Sequence, residues 1–316
     1  MKTERPTGRR NLGLPALKSL RPATNFVHRT AFLFRYYRAR QVFAQSLGDG
    51  ELVSPRPECP VIVIGMHRSG TSLLAQQLED LGVDMGKWQA RNTNEAMFFR
   101  NRNQLLLSLA HASWDNPNAF LRALGNPEWR RAFVRVVARD LGTIRTLNFL
   151  PPRMLARFLP EPSQFWGFKD PRTTLTLPVW LDIFPNAKII NILRDGNAVA
   201  SSLHQRGKEE LQYGLPSSLV SLDPTMGLAL WADYVLAAQK YCASLPQDRY
   251  LEIRYENLMR EPDSLLLDVA KFIGLDADEK QVEIAASRIN RTQRPVESIS
   301  PVGPKAQRAL ALYNYL

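Results

Sequence analysis

Residues 60–74, PVIVIGMHRSGTSLL, constrain this chain more than any other stretch. Val61, Ile62, Val63 and Ile64 form a short continuous apolar run, which suits a strand buried on both faces of a parallel sheet. Gly65 and Gly70 bracket a four-residue loop, Thr71 and Ser72 follow, and Leu74, Leu78 and Leu81 recur at helical spacing. A glycine-bounded loop between a strand and a helix start is an anion site by construction, because free backbone N–H groups and the helix dipole both point into it. The plain alternative is a turn whose glycines serve only backbone geometry.

The spacing matches the phosphate-binding loop G-x-x-x-x-G-K-[ST] with one departure. Ser72 holds the Ser/Thr place, but Thr71 stands where the phosphate-pairing lysine belongs, and the cation has moved forward into the loop as Arg68. Ordinary ATP or GTP hydrolysis is therefore disfavoured. A 5′-phosphate cradle with a guanidinium in its lip suits a nucleotide whose transferable group is not a γ-phosphate.

At 316 residues and 45% hydrophobic content, the chain is long enough to bury a full α/β core. The net charge of +11 is unevenly placed. Residues 1–50 carry ten lysines and arginines against only Glu4 and Asp49, which leaves +8 in that arm and +3 in the rest. The main body is thus close to neutral, and a nucleic-acid partner is not expected. Cys59 and Cys242 are far apart and form no metal-like or redox-like spacing, so a reducing compartment, the cytoplasm, fits best. The four histidines are scattered, and no apolar run approaches the ~20 residues of a membrane span.

The organisation read from the chain is a basic arm over residues 1–54 and a main domain over 55–316. Residues 1–24, with Pro6, Pro15 and Pro22 among basic residues, read as disordered. From Asn25 to Leu47, Phe26, Leu33, Tyr37, Phe43 and Leu47 are expected to share one face of a helix, with arginines between them. Such a helix lies on an anionic membrane surface or packs on its own domain with its arginines solvated. Within the main domain, residues 85–160 read as a helical insertion covering the acceptor side.

Two later stretches carry charge at strand ends. Gln164–Arg172, QFWGFKDPR, reads as a strand closed by Lys169-Asp170-Pro171. If that strand neighbours the first, Lys169 lies near the loop's anion, since ligands bind beyond the carboxyl ends of parallel strands. Ala187–Leu203, AKIINILRDGNAVASSL, reads as a second buried strand ending at Arg194, with Asp195 or Asn197 capping the next helix. Ser202 lies eight residues after Arg194, and the two reach one phosphate if strand end and helix flank a common groove. The apolar run leads to an arginine rather than an aspartate, so no Mg²⁺ ligand set is apparent. Metal-free chemistry is expected. A third strand, YLEIRY, follows at residues 250–255.

Over roughly residues 60–275 these pieces resemble the sulfotransferases that use 3′-phosphoadenosine 5′-phosphosulfate (PAPS). GMHRSGTSLL is similar to their 5′-phosphosulfate loop and LRDGNAVASSL to their 3′-phosphate motif. FKDPR and LEIRYENL are similar to stretches of bacterial members, while Arg68 and Lys169-Asp170-Pro171 are also similar to tyrosylprotein sulfotransferases. The resemblance implies an α/β P-loop-type three-layer fold around a mostly parallel sheet. It implies in-line transfer of a sulfuryl group from PAPS to a hydroxyl or amine. On this reading Ser69, Gly70, Thr71 and Ser72 hold the 5′-phosphate, and Arg194 and Ser202 fix the 3′-phosphate. Arg68 and Lys169 neutralise charge on the sulfonyl and leaving oxygens. The general base is Glu95 first, Asp170 second and His67 third. The acceptor is a small molecule, carbohydrate, lipid or peptide. A nucleotide kinase or NTPase, and a catalytically silent nucleotide-binding protein of the same fold, are the rival readings.

Overall fold

The structure is a computed structural model that describes residues 21–47, 53–86, 89–90, 93–141, 165–290, 296, 298–300 and 303–315. The elements run α1 (Arg21–Gln45), β1 (Val61–Ile64), α2 (Thr71–Asp80), β2 (Gln89–Ala90), β3 (Glu95–Ala96), α3 (Met97–Leu109), α4 (Asn118–Ala123) and α5 (Pro127–Leu141). They continue with β4 (Gly167–Lys169), α6 (Thr173–Ile183), β5 (Lys188–Leu193), α7 (Gly196–Leu211), α8 (Pro224–Cys242), β6 (Tyr250–Arg254), α9 (Tyr255–Arg260), α10 (Pro262–Ile273), α11 (Glu279–Ser287) and α12 (Gly303–Leu312).

Four strands form one sheet in the order β4-β1-β5-β6, every pair parallel. The register sets Val61 beside Gly167 and Lys188, and Val63 beside Lys169 and Ile190. β1 is therefore an interior strand, and the chain leaves it first to one side and later to the other. That reversal opens a crevice at the carboxyl ends of the strands, where open α/β sheets bind ligands. Period-two alternation then divides β1 between two cores. Ile62 and Ile64 join Phe168, Ile189 and the helical residues Phe99, Phe133, Trp180 and Trp231 on one face. Val61 and Val63 join Ile190, Ile253, Leu74, Leu78 and Leu266 on the other. Helices cover both faces, which gives the three layers expected from the apolar run.

Where residues 85–160 are described, Phe98, Phe99, Phe120, Phe133 and Val137 of α3–α5 sit in the same core as Ile62 and Phe168. Phe99 stacks on Phe168 at 3.5 Å between ring centroids. One sequence expectation is revised. Of the stripe expected on α1, Leu33 and Tyr37 are exposed, as is Leu47 just past the helix, while Phe43 turns inward with Tyr36, Ala39 and Val42 against Leu105, Leu109 and Val136. The expected residues divide between two sides because a helix with apolar residues on both has no unique stripe. Phe26 and the first 24 residues, apart from the backbone course of α1, lie outside what is described.

The β4–β1 pairing also sets a packing limit. A Cβ placed on Gly167 would lie 2.3 Å from the Val61 carbonyl oxygen, a backbone atom that cannot swing aside. Gly167→Ala is expected to cost about 1–3 kcal/mol by overpacking. Urea unfolding should show a lower midpoint with an unchanged slope.

Candidate functional site

The loop 65–70 turns at the carboxyl end of β1, and its backbone shows why it is built of these residues. Gly70 has φ +96°, a left-handed conformation, and a Cβ there would meet the Tyr255 ring at 2.5 Å. Gly70 caps α2 with no side-chain hydrogen bond, so the first N–H groups of that helix are left to a ligand or water. Arg68 also sits in the left-handed region, at φ +72°. A non-glycine residue held there is costly, and such residues concentrate at ligand clamps. The strain presents the Arg68 side chain outward while Met66, His67 and Ser69 remain buried. Below the loop, the Gly65 N–H donates to Thr174 Oγ1 at 2.9 Å, fixing the loop to α6.

One side of the site comes from β4. Lys169 is 1% exposed, and its Nζ donates to Ser72 Oγ at 3.0 Å and to the Thr93 carbonyl at 2.6 Å. Ser72 Oγ in turn donates to the same carbonyl. Glu95, on β3, lies 3.9 Å from Lys169, 3.2 Å from Arg100 and 3.7 Å from Arg172. Burial pushes Lys169 down to about 8, against the pull of Glu95 and Asp170. An anion arriving beside it favours the protonated form.

The other side comes from β5 and α7. Arg194 Nη1 donates to the Arg68 carbonyl at 3.0 Å, and its guanidinium lies over the Tyr255 ring at 4.3 Å. Arg68 Nε donates to Ser202 Oγ at 3.0 Å. Arg194 and Ser202 are therefore both joined to Arg68, one through its carbonyl and the other through its side chain. Asp195 caps α7 by accepting from the Asn197 N–H. Ser69, Gly70, Thr71 and Ser72 run from the loop into the first turn of α2, between the two sides.

Asp170 is placed differently. It is fully buried, with one oxygen accepting from Asn103 Nδ2 at 2.7 Å and the other from Arg172 Nη1 at 2.8 Å. Asn103 is itself tied to Thr173, Thr176 and Trp180. Asp170 meets the rest of the site through Arg172, each of its carboxylate oxygens accepting one of these hydrogen bonds. His67 is buried beside Trp114, 4.7 Å between rings. Burial first, then Arg172 and Lys169, hold it well below the usual histidine range, so it is neutral. Its Nε2 has no hydrogen-bond partner among the described residues.

Sequence reasoning did not single out Arg172, Arg100, Tyr255, Asn103 or the Thr93 carbonyl. Arg172 stands within the FKDPR run, and its basic character three residues after Lys169 was the available signal. Asn103 and Thr93 gave none, since an asparagine on a helix and a backbone oxygen look ordinary without their neighbours.

The sulfotransferase family profile matches residues 60–279. Among curated proteins, the protein-tyrosine sulfotransferase of Drosophila melanogaster is 26% identical over 113 residues, 36% of this chain and 21% of its own length. Protein-tyrosine sulfotransferase 2 of Gallus gallus is 26% identical over 157 residues, 46% of this chain and 40% of its own length. The chain thus spans less than half the length of these relatives. Among solved structures, the sulfotransferase domain from the curacin biosynthetic pathway has a TM-score of 0.51 at 15% identity, covering 83% of this chain and 99% of that one. The sulfotransferase domain from the Synechococcus PCC 7002 olefin synthase has a TM-score of 0.50 at 18% identity, covering 83% and 96%. These two likenesses are of fold.

Asp170→Asn keeps the shape and removes the charge that pairs with Arg172. It is expected to cost about 3 kcal/mol, since breaking a buried pair leaves the partner's charge uncompensated. Chemical denaturation reads the loss, and an unchanged midpoint would mean that the carboxylate does not hold Arg172.

Proposed function

This chain belongs to the sulfotransferase family, and from that premise we propose that it moves a sulfuryl group from PAPS to a hydroxyl or amine acceptor. The observation that carries the reading is the double link through Arg68, side chain to Ser202 and carbonyl to Arg194. It joins the loop that would hold a 5′-phosphate to the groove that would hold a 3′-phosphate. One nucleotide bearing both groups fits that pair of sites. ATP, with a free 3′-hydroxyl, would leave Arg194 and Ser202 without their anion.

The residues present fit such a co-substrate. The uncapped start of α2 and the backbone of Ser69–Ser72 would take the 5′-phosphate. The transferable group is supplied by PAPS. Lys169, held by Ser72 and the Thr93 carbonyl, and Arg68 at the lip would neutralise charge that grows on the sulfonyl and bridging oxygens. Glu95 would accept the acceptor's proton as the new S–O bond forms and the bond to the 5′-phosphate oxygen breaks. Arg100 and Arg172 orient that carboxylate at 3.2 and 3.7 Å. The reading is metal-free because the two carboxylates nearest the loop, Glu95 and Asp170, are already engaged by cations. The relatives' printed names point to a tyrosyl peptide acceptor, and small-molecule, carbohydrate and lipid acceptors share the same nucleophile chemistry. Cys59 and Cys242 are both free thiols, in keeping with a cytoplasmic setting.

The nucleotide is tested first. 3′,5′-Bisphosphoadenosine should raise the melting temperature without added metal, because a ligand that binds only the folded state stabilises it by mass action. ATP should do so far less. Equal shifts, or a shift that needs Mg²⁺, would favour a kinase or NTPase.

Roles within the site separate by kinetics. Arg194→Ala should weaken nucleotide binding and leave turnover at saturating PAPS largely intact. Lys169→Ala and Arg68→Ala should lower turnover itself by about 10²–10³-fold, and Glu95→Gln by about 10²–10⁴-fold. A fully active Glu95→Gln enzyme removes Glu95 as the base.

A further inference from the structure

α1 is apolar on two sides, and among the described residues one of them packs on the domain. The inner side, Tyr36, Ala39, Val42 and Phe43, packs on Leu105, Leu109 and Val136. Phe43 also meets Phe133 at 4.9 Å, and Arg135 holds the Ser46 carbonyl at the helix's end. That packing fixes which way the other side faces. Leu33, Phe34 and Tyr37 are 52%, 67% and 62% exposed. At i, i+1 and i+4 they share one face of the helix. Arg38 and Arg40, both exposed, border that face on either side. From Arg21 to Gln45 the helix carries Arg21, Arg29, Arg35, Arg38 and Arg40 and no acidic residue.

We infer that the outward face of α1 docks this domain on an anionic lipid surface. An apolar ridge flanked by arginines is the form of a helix lying in the interface, its aliphatic and aromatic side chains at the acyl boundary and its guanidinium groups among the phosphates. No described helix is long and apolar enough to cross a membrane, so the contact is peripheral. A second copy of the chain is a poorer occupant, because a symmetric α1–α1 contact sets arginines against arginines. Nucleic acid is poorer as well, because Leu33, Phe34 and Tyr37 add nothing to a phosphate contact. The inference is independent of the reaction, since none of these residues belongs to the site at the end of β1.

The test is flotation of the full chain with vesicles of phosphatidylcholine alone and of phosphatidylcholine mixed with phosphatidylserine. The chain should float only with the anionic vesicles and should release as salt shortens the Debye length from about 8 Å to about 3 Å at 1 M. Replacing Arg38 and Arg40 by Gln should weaken partition roughly thirtyfold, as expected for two charges lost near such a surface. Leu33→Ser, Phe34→Ser and Tyr37→Ser together should abolish it. Neither variant replaces a residue of the inner side; each loses one contact with the Tyr36 ring, from Arg40 or from Tyr37, and melting temperatures and a response to 3′,5′-bisphosphoadenosine close to the parent's should show that they fold. Tyr213→Ser with Leu215→Ser, at another exposed apolar site, should leave flotation unchanged. The inference is overturned if the parent ignores anionic vesicles, if the triple serine variant floats like the parent, or if the parent sediments as a dimer that this variant dissolves.

Discussion

The parallel pairing of β1 with β4 on one side and β5 on the other decides where Arg68, Lys169 and Arg194 fall. β1 ends at the loop, β4 ends at Lys169, and β5 is followed at once by Arg194. Because the strands run in the same direction, all three ends open on the same edge of the sheet. Lys169 and Arg194 are 25 residues apart in the chain and arrive from opposite flanks of one crevice. An antiparallel neighbour would have carried one of them to the far edge. The division of β1 between two cores makes this arrangement hard to disturb, since a one-residue slip would exchange Ile62 and Ile64 with Val61 and Val63.

Built on that frame, the site holds cations in readiness. Arg68, Arg100, Lys169 and Arg172 gather near the loop, and Glu95 with the fully buried Asp170 offsets part of their charge. Lys169 is lowered to about 8 by burial, with Glu95 and Asp170 pulling the other way. The cations are felt in His67, neutral because burial first and then Arg172 and Lys169 oppose its protonation. A polyanion entering the crevice relieves the repulsion and meets groups already fixed in place. Preorganised charge of this kind needs little rearrangement when negative charge develops during a reaction. Asn103 extends the support inward, tying Asp170 to α6 through Thr173, Thr176 and Trp180.

α1 shows how the same packing that builds the domain exposes a second surface. Its inner side is consumed by α3 and α5, which leaves Leu33, Phe34 and Tyr37 more than half exposed on the outer side. A basic helix read alone offers two accounts, packing or docking on a surface. Once its orientation is fixed, the two accounts belong to different sides of one helix.

The sequence by itself determined the local units. An apolar β-branched run, two spaced glycines and a helical leucine pattern are short-range signals, and they located β1, the loop and α2. The same holds for β5, followed at once by Arg194, and for a helix cap at Asp195 or Asn197, of which the structure uses Asp195. The three-layer class followed too, because strands that are apolar throughout must be covered on both faces. What only the tertiary structure decided is which strand ends meet and which groups each carboxylate faces. Glu95 and Asp170 look alike in a sequence; one sits at the crevice among Arg100, Lys169 and Arg172, while the other is enclosed by Asn103 and Arg172. That difference rests in part on contacts between residues 67 or more positions apart, such as Asn103 with Asp170 and Lys169 or Arg172 with Glu95. Local propensity cannot encode such contacts, because the free energy that selects them comes from burying the whole core at once.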